Sequence, residues 1–149
     1  MNITKEGSEL IRVKQIRTKG WKMPEGTKFV GRPRKWGNMF KLDNYNRVFI
    51  NSEGRRQATE DWIFFCQTTE LEGPKLVLDL YHWVLNGEAD VIQIKFALDN
   101  KAMLDVRYWI KKFENNNDLN ELRGFNLACC CELDFAYCHA DLLLYLANK

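Results

Sequence analysis

The chain holds 149 residues, of which 46% are hydrophobic, 28% charged and 13% aromatic, with only 9 Gly and 3 Pro, a composition that excludes disordered, collagen-like and coiled-coil chains. A chain of this length buries roughly 70% of its unfolded surface, so its core needs neither disulfide nor metal to hold it. The formal net charge of +2 argues against tight, non-specific binding of nucleic acid, which is not expected as a partner.

In chain order, residues 9–18 (ELIRVKQIRT) set Leu10, Val13 and Ile16 among charges, a strand signal with imperfect alternation. A turn-rich passage from Gly20 to Gly31 ends in the short apolar piece Lys28-Phe29-Val30. Gly31-Arg32-Pro33-Arg34-Lys35-Trp36-Gly37-Asn38 is predicted to be a loop, because two glycines and a proline interrupt any regular element. Arg47–Asn51 reads as a second strand or hairpin arm. From a cap at Ser52, the recurrence of Ala58, Trp62, Phe65 and Cys66 at three- and four-residue spacing predicts an amphipathic helix.

Gly73-Pro74 reads as a break, and Leu76–Leu85 as a helix that ends at Asn86-Gly87. Within Val91–Leu98, the residues Ile92, Ile94, Phe96 and Leu98 fit one buried strand face. Another helix is predicted over Ala102–Phe113, before a polar break at Glu114–Asp118. Asn126–Cys131 reads as a buried strand, Glu132–Tyr137 as a loop, and His139–Asn148 as a closing helix. Together these elements predict a single α/β domain over residues 1–149, a small central sheet flanked by helices. The apolar runs, such as Leu142–Ala147, fall far short of a bilayer span, so a cytoplasmic protein with no membrane partner is expected.

Five cysteines form an odd set, and Cys129, Cys130, Cys131 and Cys138 crowd into ten positions, which suits reduced thiols better than loop-closing bridges. In an extended strand Cys129 and Cys131 share one face and Cys130 takes the other. Cys138 and His139 fall at the first turn of the closing helix, where unpaired amides and the helix dipole favour a thiolate or a ligand's phosphate. Asp141 can reach back to that turn as a capping carboxylate. Four readings of the cluster stay open: zinc held by Cys129, Cys131, Cys138 and His139, a nucleophilic or redox Cys138, small core residues, and an anion-binding turn walled by thiols. Adjacency of Cys138 and His139 speaks against zinc, and neither metal nor cofactor is assigned.

Charge is unevenly distributed: residues 1–56 carry 14 Lys+Arg against 5 Asp+Glu, the remainder 8 against 15. The amino-terminal part therefore offers a place for an anion, unless the two halves neutralise one another. Arg32, Arg34 and Lys35 supply cations, and an arginine fork suits a phosphate. Trp36 offers a flat face for stacking, Gly31 and Gly37 admit close backbone approach, and Asn38 both donates and accepts hydrogen bonds.

Val30-Gly31-Arg32-Pro33-Arg34-Lys35-Trp36-Gly37-Asn38-Met39-Phe40 resembles a V-G-R-P-x-x-W-G-N-P-F block, and Leu122–Asn148 resembles L-R-G-x-x-L-A-C-W-C followed by C-H-A-D-x-L-L-x-L-A-N. These blocks are similar to those of domain-of-unknown-function family 4326, carried by bacteria and their phages. Met39 stands where the family has Pro, and Cys130 where it has Trp. The resemblance implies no reaction, but it implies that the loop and the cysteine turn belong to one site. Occurrence in phages implies nucleotide or modified-nucleotide business, in phage metabolism or in countering host immune signals.

The expected ligand-binding residues are thus Gly31, Arg32, Trp36, Gly37, Asn38, Cys129, Cys131, Cys138, His139 and Asp141. The expected function is binding of a phosphorylated, nucleotide-like small molecule, with phage-encoded sequestration of a nucleotide signal as its use. One alternative is an enzyme acting on a nucleotide or a nucleoside glycosidic bond, with His139 or a carboxylate among Glu132, Asp134 and Asp141 as acid or base. Another is a phage protein that inhibits a host protein by contact through Trp21, Trp62, Trp83 and Trp109.

Overall fold

The structure, a computed structural model, describes residues 10–32, 34–51 and 62–149. Its elements are β1 (Arg12–Lys14), β2 (Thr27–Phe29), β3 (Phe40–Leu42), β4 (Arg47–Asn51), β5 (Trp62–Gln67), α1 (Gly73–Leu85), α2 (Ala89–Phe96), α3 (Asn100–Asn116), a 3-10 turn at Leu119–Leu122, β6 (Asn126–Cys129) and α4 (His139–Asn148). The class is α/β, with two three-stranded sheets and four α-helices among the described residues. Within this fold the chain divides into two compact units. One takes the described residues up to Gly37 together with Asp118–Lys149, the other Asn38–Asn117.

In the first unit β6 is the central strand of a parallel sheet in the order β1-β6-β2. A central parallel strand is covered on both faces, and all four residues of β6 are accordingly buried. Arg12 pairs with Leu127 and Lys14 with Cys129, while Thr27 pairs with Asn126 and Phe29 with Ala128. The ladder continues past β2, where Val30 N–H donates to the Ala128 carbonyl at 2.8 Å. The Asn126 side chain accepts from Ile11 N–H at 2.9 Å, which extends the pairing at the other edge. After the connection 130–138 the chain enters α4, which buries His139, Ala140, Leu143 and Ala147.

In the second unit β3, β4 and β5 form an antiparallel meander, with an irregularity between Val48 and Phe49. Its core includes Phe40, Val48, Ile50, Phe65, Leu80, Tyr81, Ile92, Met103 and Val106. Phe65 meets both Phe40 and Phe96 edge to face, and the Trp109 indole N–H donates to the Asn51 carbonyl at 2.8 Å.

Three expectations fail in this unit. Trp62–Gln67 is a strand and not the end of an amphipathic helix; Ser52 and Ala58 lie outside the described residues. The run Trp62-Ile63-Phe64-Phe65 is β-branched and aromatic, which favours a pleated strand beside β4, and the three-residue spacing of Trp62 and Phe65 is incidental. Ala89–Phe96 is a helix, closed by Ala97 at a left-handed φ of 48°. Ile94 is 80% exposed, so the supposed buried face is not buried; Ile92 alone of α2 is, and α1 and α3 pack beside that helix. Gly73-Pro74 does not break the chain but opens α1, because a proline in the first turn gives up an N–H that has no helical partner there. Among the described residues no helix is long and apolar enough to cross a membrane.

Candidate functional site

The end of β6 and the start of α4 bring three thiols of the first unit together. Side chains alternate along the extended chain, so Cys129 turns inward, Cys130 is exposed and Cys131 returns to the same side, half-buried. Cys138, the N-cap of α4, is buried. The sulfurs of Cys129, Cys131 and Cys138 all lie within 4.8 Å of one another. Cys129 and Cys138 sulfurs share a hydrogen bond at 2.9 Å, and the Cys131 N–H donates to the Cys129 sulfur at 3.4 Å.

Hydrogen bonding within this trio separates the thiols electrically. Cys131 and Cys138 both hydrogen-bond to Cys129, and those bonds hold its pKa down, to about 2, while burial works the other way. The pKa of Cys138 is pushed up, first because Cys129 and Cys131 bond to it and then by burial. Within the trio the charged form is favoured at Cys129 rather than at Cys138, the residue on the helix start. Cys66, in the other unit, is a free thiol raised to about 11 by burial.

An arginine that the sequence does not single out organises the turn. The side chain of Arg12, from β1, is only 6% exposed. Its Nη1 donates to the Glu132 carbonyl at 3.0 Å, and its Nη2 to the carbonyls of Leu133 and Phe135 at 2.8 and 3.0 Å. Its Nε lies 3.2 Å from an Asp141 carboxylate oxygen, and the guanidinium also hydrogen-bonds Cys129. Asp141 therefore does not cap α4, whose N-cap makes no side-chain bond; it is held by Arg12. Lys14, two residues along the same strand face, pairs with Glu132 at 2.6 Å.

The glycine loop meets the same turn through one bond. His139 Nε2 donates to the Val30 carbonyl oxygen at 2.7 Å, which joins the chain just before Gly31 and Arg32 to the first residue of α4. His139 is buried, and burial lowers its pKa; the charges of Arg32 and Arg12 act in the same direction. The ring is thus neutral with its proton on Nε2. Arg32 is exposed, whereas Arg12 is clamped inside the unit.

The remaining loop residues build the loop itself. Arg34 N–H donates to the Gly31 carbonyl at 3.0 Å and Gly37 N–H to the Arg34 carbonyl at 2.8 Å, two successive turns. A Cβ on Gly31 would come within 2.5 Å of the Phe29 ring, and one on Gly37 within 2.8 Å of the Arg32 backbone. Trp36 is 4% exposed, a core residue and not a stacking platform. Lys35 pairs with Glu121 at 2.8 Å. Asn38 belongs to the second unit, where its oxygen accepts from Phe40 N–H at 2.8 Å and its Nδ2 donates to the Val77 carbonyl at 3.3 Å.

The structure therefore brings Gly31, Arg32 and His139 into one neighbourhood, gathers Cys129, Cys131 and Cys138, and ties Asp141 to Arg12. It leaves Trp36 and Gly37 as supports of the loop and Asn38 in the other unit. Arg12 escapes a reading of the sequence because its partners lie about 120 positions away.

These features define a class: an α/β protein whose parallel sheet delivers a thiol-lined turn to the amino end of its last helix. The chain belongs to the family described as Domain of unknown function (DUF4326), which it matches over residues 13–149. No curated protein and no solved structure matches it.

Proposed function

We propose that the first unit binds a phosphorylated, nucleotide-like small molecule where the Arg32 loop meets the amino end of α4. The observation that carries this reading is the His139–Val30 hydrogen bond at 2.7 Å, which holds an exposed arginine loop against a helix start. An arginine fork suits a phosphate, and helix-terminal amides add partial positive charge. Arg34, also exposed, adds a second cation. With Trp36 in the core, aromatic contact to a base falls to Phe135 and Tyr137, which are part-exposed on the loop before α4 and meet edge to face.

The bond to Val30 keeps His139 out of acid-base work, so the reading is a binding module first and an enzyme second. A thermal-shift screen of the reduced protein with mono- and dinucleotides tests it. A nucleotide should raise the melting temperature, and Arg32→Ala should abolish the rise without unfolding the protein. Ligand returned intact after denaturation fits sequestration of a nucleotide signal; a new chromatographic peak means turnover. A chain that no nucleotide stabilises, but that captures a host protein, sinks the reading in favour of an inhibitor.

A further inference from the structure

We infer that Cys129, Cys131 and Cys138 bind one zinc(II) ion, with a fourth coordination position left for water or a ligand. The inference rests on the thiol cluster alone and is independent of the phosphate reading. Zinc–thiolate bonds of about 2.3 Å in a tetrahedral site set the sulfurs about 3.8 Å apart. Three sulfurs within 4.8 Å of one another therefore suit a single ion and stand too close to hold the separate irons of a cluster. Cys129 and Cys138, at 2.9 Å, would part by about 1 Å as the ion takes the place of their shared proton. Three sulfur ligands select a borderline-soft ion over magnesium or calcium.

The surroundings are those of a metal site whose ligands are held from outside. Cys129 ends a buried strand and Cys138 caps a helix, both of them rigid supports, and Cys131 follows the strand by two residues. The Cys131 N–H donates to the Cys129 sulfur at 3.4 Å, the kind of outer bond that orients a ligand. Three thiolates and one zinc(II) leave a net charge of −1, and Arg12, hydrogen-bonded to Cys129, sits against it. Binding forms three zinc–sulfur bonds and releases to solvent the protons those sulfurs carried. The adjacency of Cys138 and His139 is no obstacle, because the histidine is spent on Val30 and is not among the clustered ligands.

Titration of the reduced full-length protein with cobalt(II) reads the site directly. One equivalent should raise sulfur-to-cobalt charge-transfer bands and the intense visible bands of a tetrahedral site, and zinc should bleach them. Cys138→Ser and Cys129→Ser should lose the bands, whereas Cys130→Ser and Cys66→Ser should keep them. Should the buried variants fail to fold, alkylation of the wild type followed by mass spectrometry replaces them: zinc should shield Cys129, Cys131 and Cys138 and leave Cys130 reactive. A folded, reduced wild type without charge-transfer bands overturns the inference, as does Cys130→Ser losing them equally, or zinc shielding all four thiols alike.

Discussion

His139 donates from Nε2 to the carbonyl oxygen of Val30, a hydrogen bond of 2.7 Å between residues 109 positions apart. Because a carbonyl can only accept, the bond fixes the tautomer, and a buried ring with one proton is a neutral ring. That residue couples the glycine loop to α4 through a buried, neutral ring.

Acid should destabilise the fold around this buried ring. Burial holds the folded pKa of His139 below its ordinary 6.5, so below about pH 6.5 the unfolded chain takes up a proton that the folded chain refuses. The contribution is complete above 6.5, falls as pH drops toward the folded value, and does not change further beneath it. Denaturant midpoints of metal-free wild type and His139→Gln, followed from about pH 7 down to about pH 5, should converge as pH falls. Parallel curves would show that the fold leaves the ring's pKa unshifted, and curves that diverge as pH falls that the ring is charged in the fold.

Arg12 is the clamp of the loop between β6 and α4. Arg12→Ala strips three carbonyls and Asp141 of their partner. With Asp141 half exposed to screening, the expected loss is about 2–3 kcal/mol in chemical denaturation. Arg12→Lys should recover less than half, since an ammonium cannot serve a fork of carbonyls. Limited proteolysis of Arg12→Ala should cut first within residues 132–137.

Gly37 is needed for room. A Cβ there would stand 2.8 Å from the Arg32 Cα and 2.9 Å from its backbone N, and backbone cannot swing aside as a side chain can. Gly37→Ala should cost about 1–3 kcal/mol and shift the backbone amide resonances of residues 31–37.

Trp36 distinguishes core from platform. As a residue 4% exposed, Trp36→Ala should lose about 3–5 kcal/mol. A surface stacking residue would lose under about 0.5 kcal/mol, so one equilibrium unfolding curve separates the two.

Much of the first unit is legible in local pattern. The alternation of Cys129, Cys130 and Cys131, the loop character of the GRPRKWGN segment and the span of α4 all follow from periodicity and from glycine and proline punctuation, which act over a few residues. Short segments with mixed signals are not legible in this way. Residues 62–67 and 89–96 carry spacings compatible with either helix or strand, and the neighbours they pack against settled the matter.

The amino-acid order alone determined the α/β character, the reduced thiol cluster and the strand-loop-helix that presents it, because each is encoded by neighbours in the chain. Only the tertiary structure decided that Arg12 and not Arg32 is drawn inside, that Trp36 packs into the core, and that His139 binds Val30. Those outcomes depend on pairing β1 and β2 with a strand about 100 residues later, and no local signal carries information over that distance.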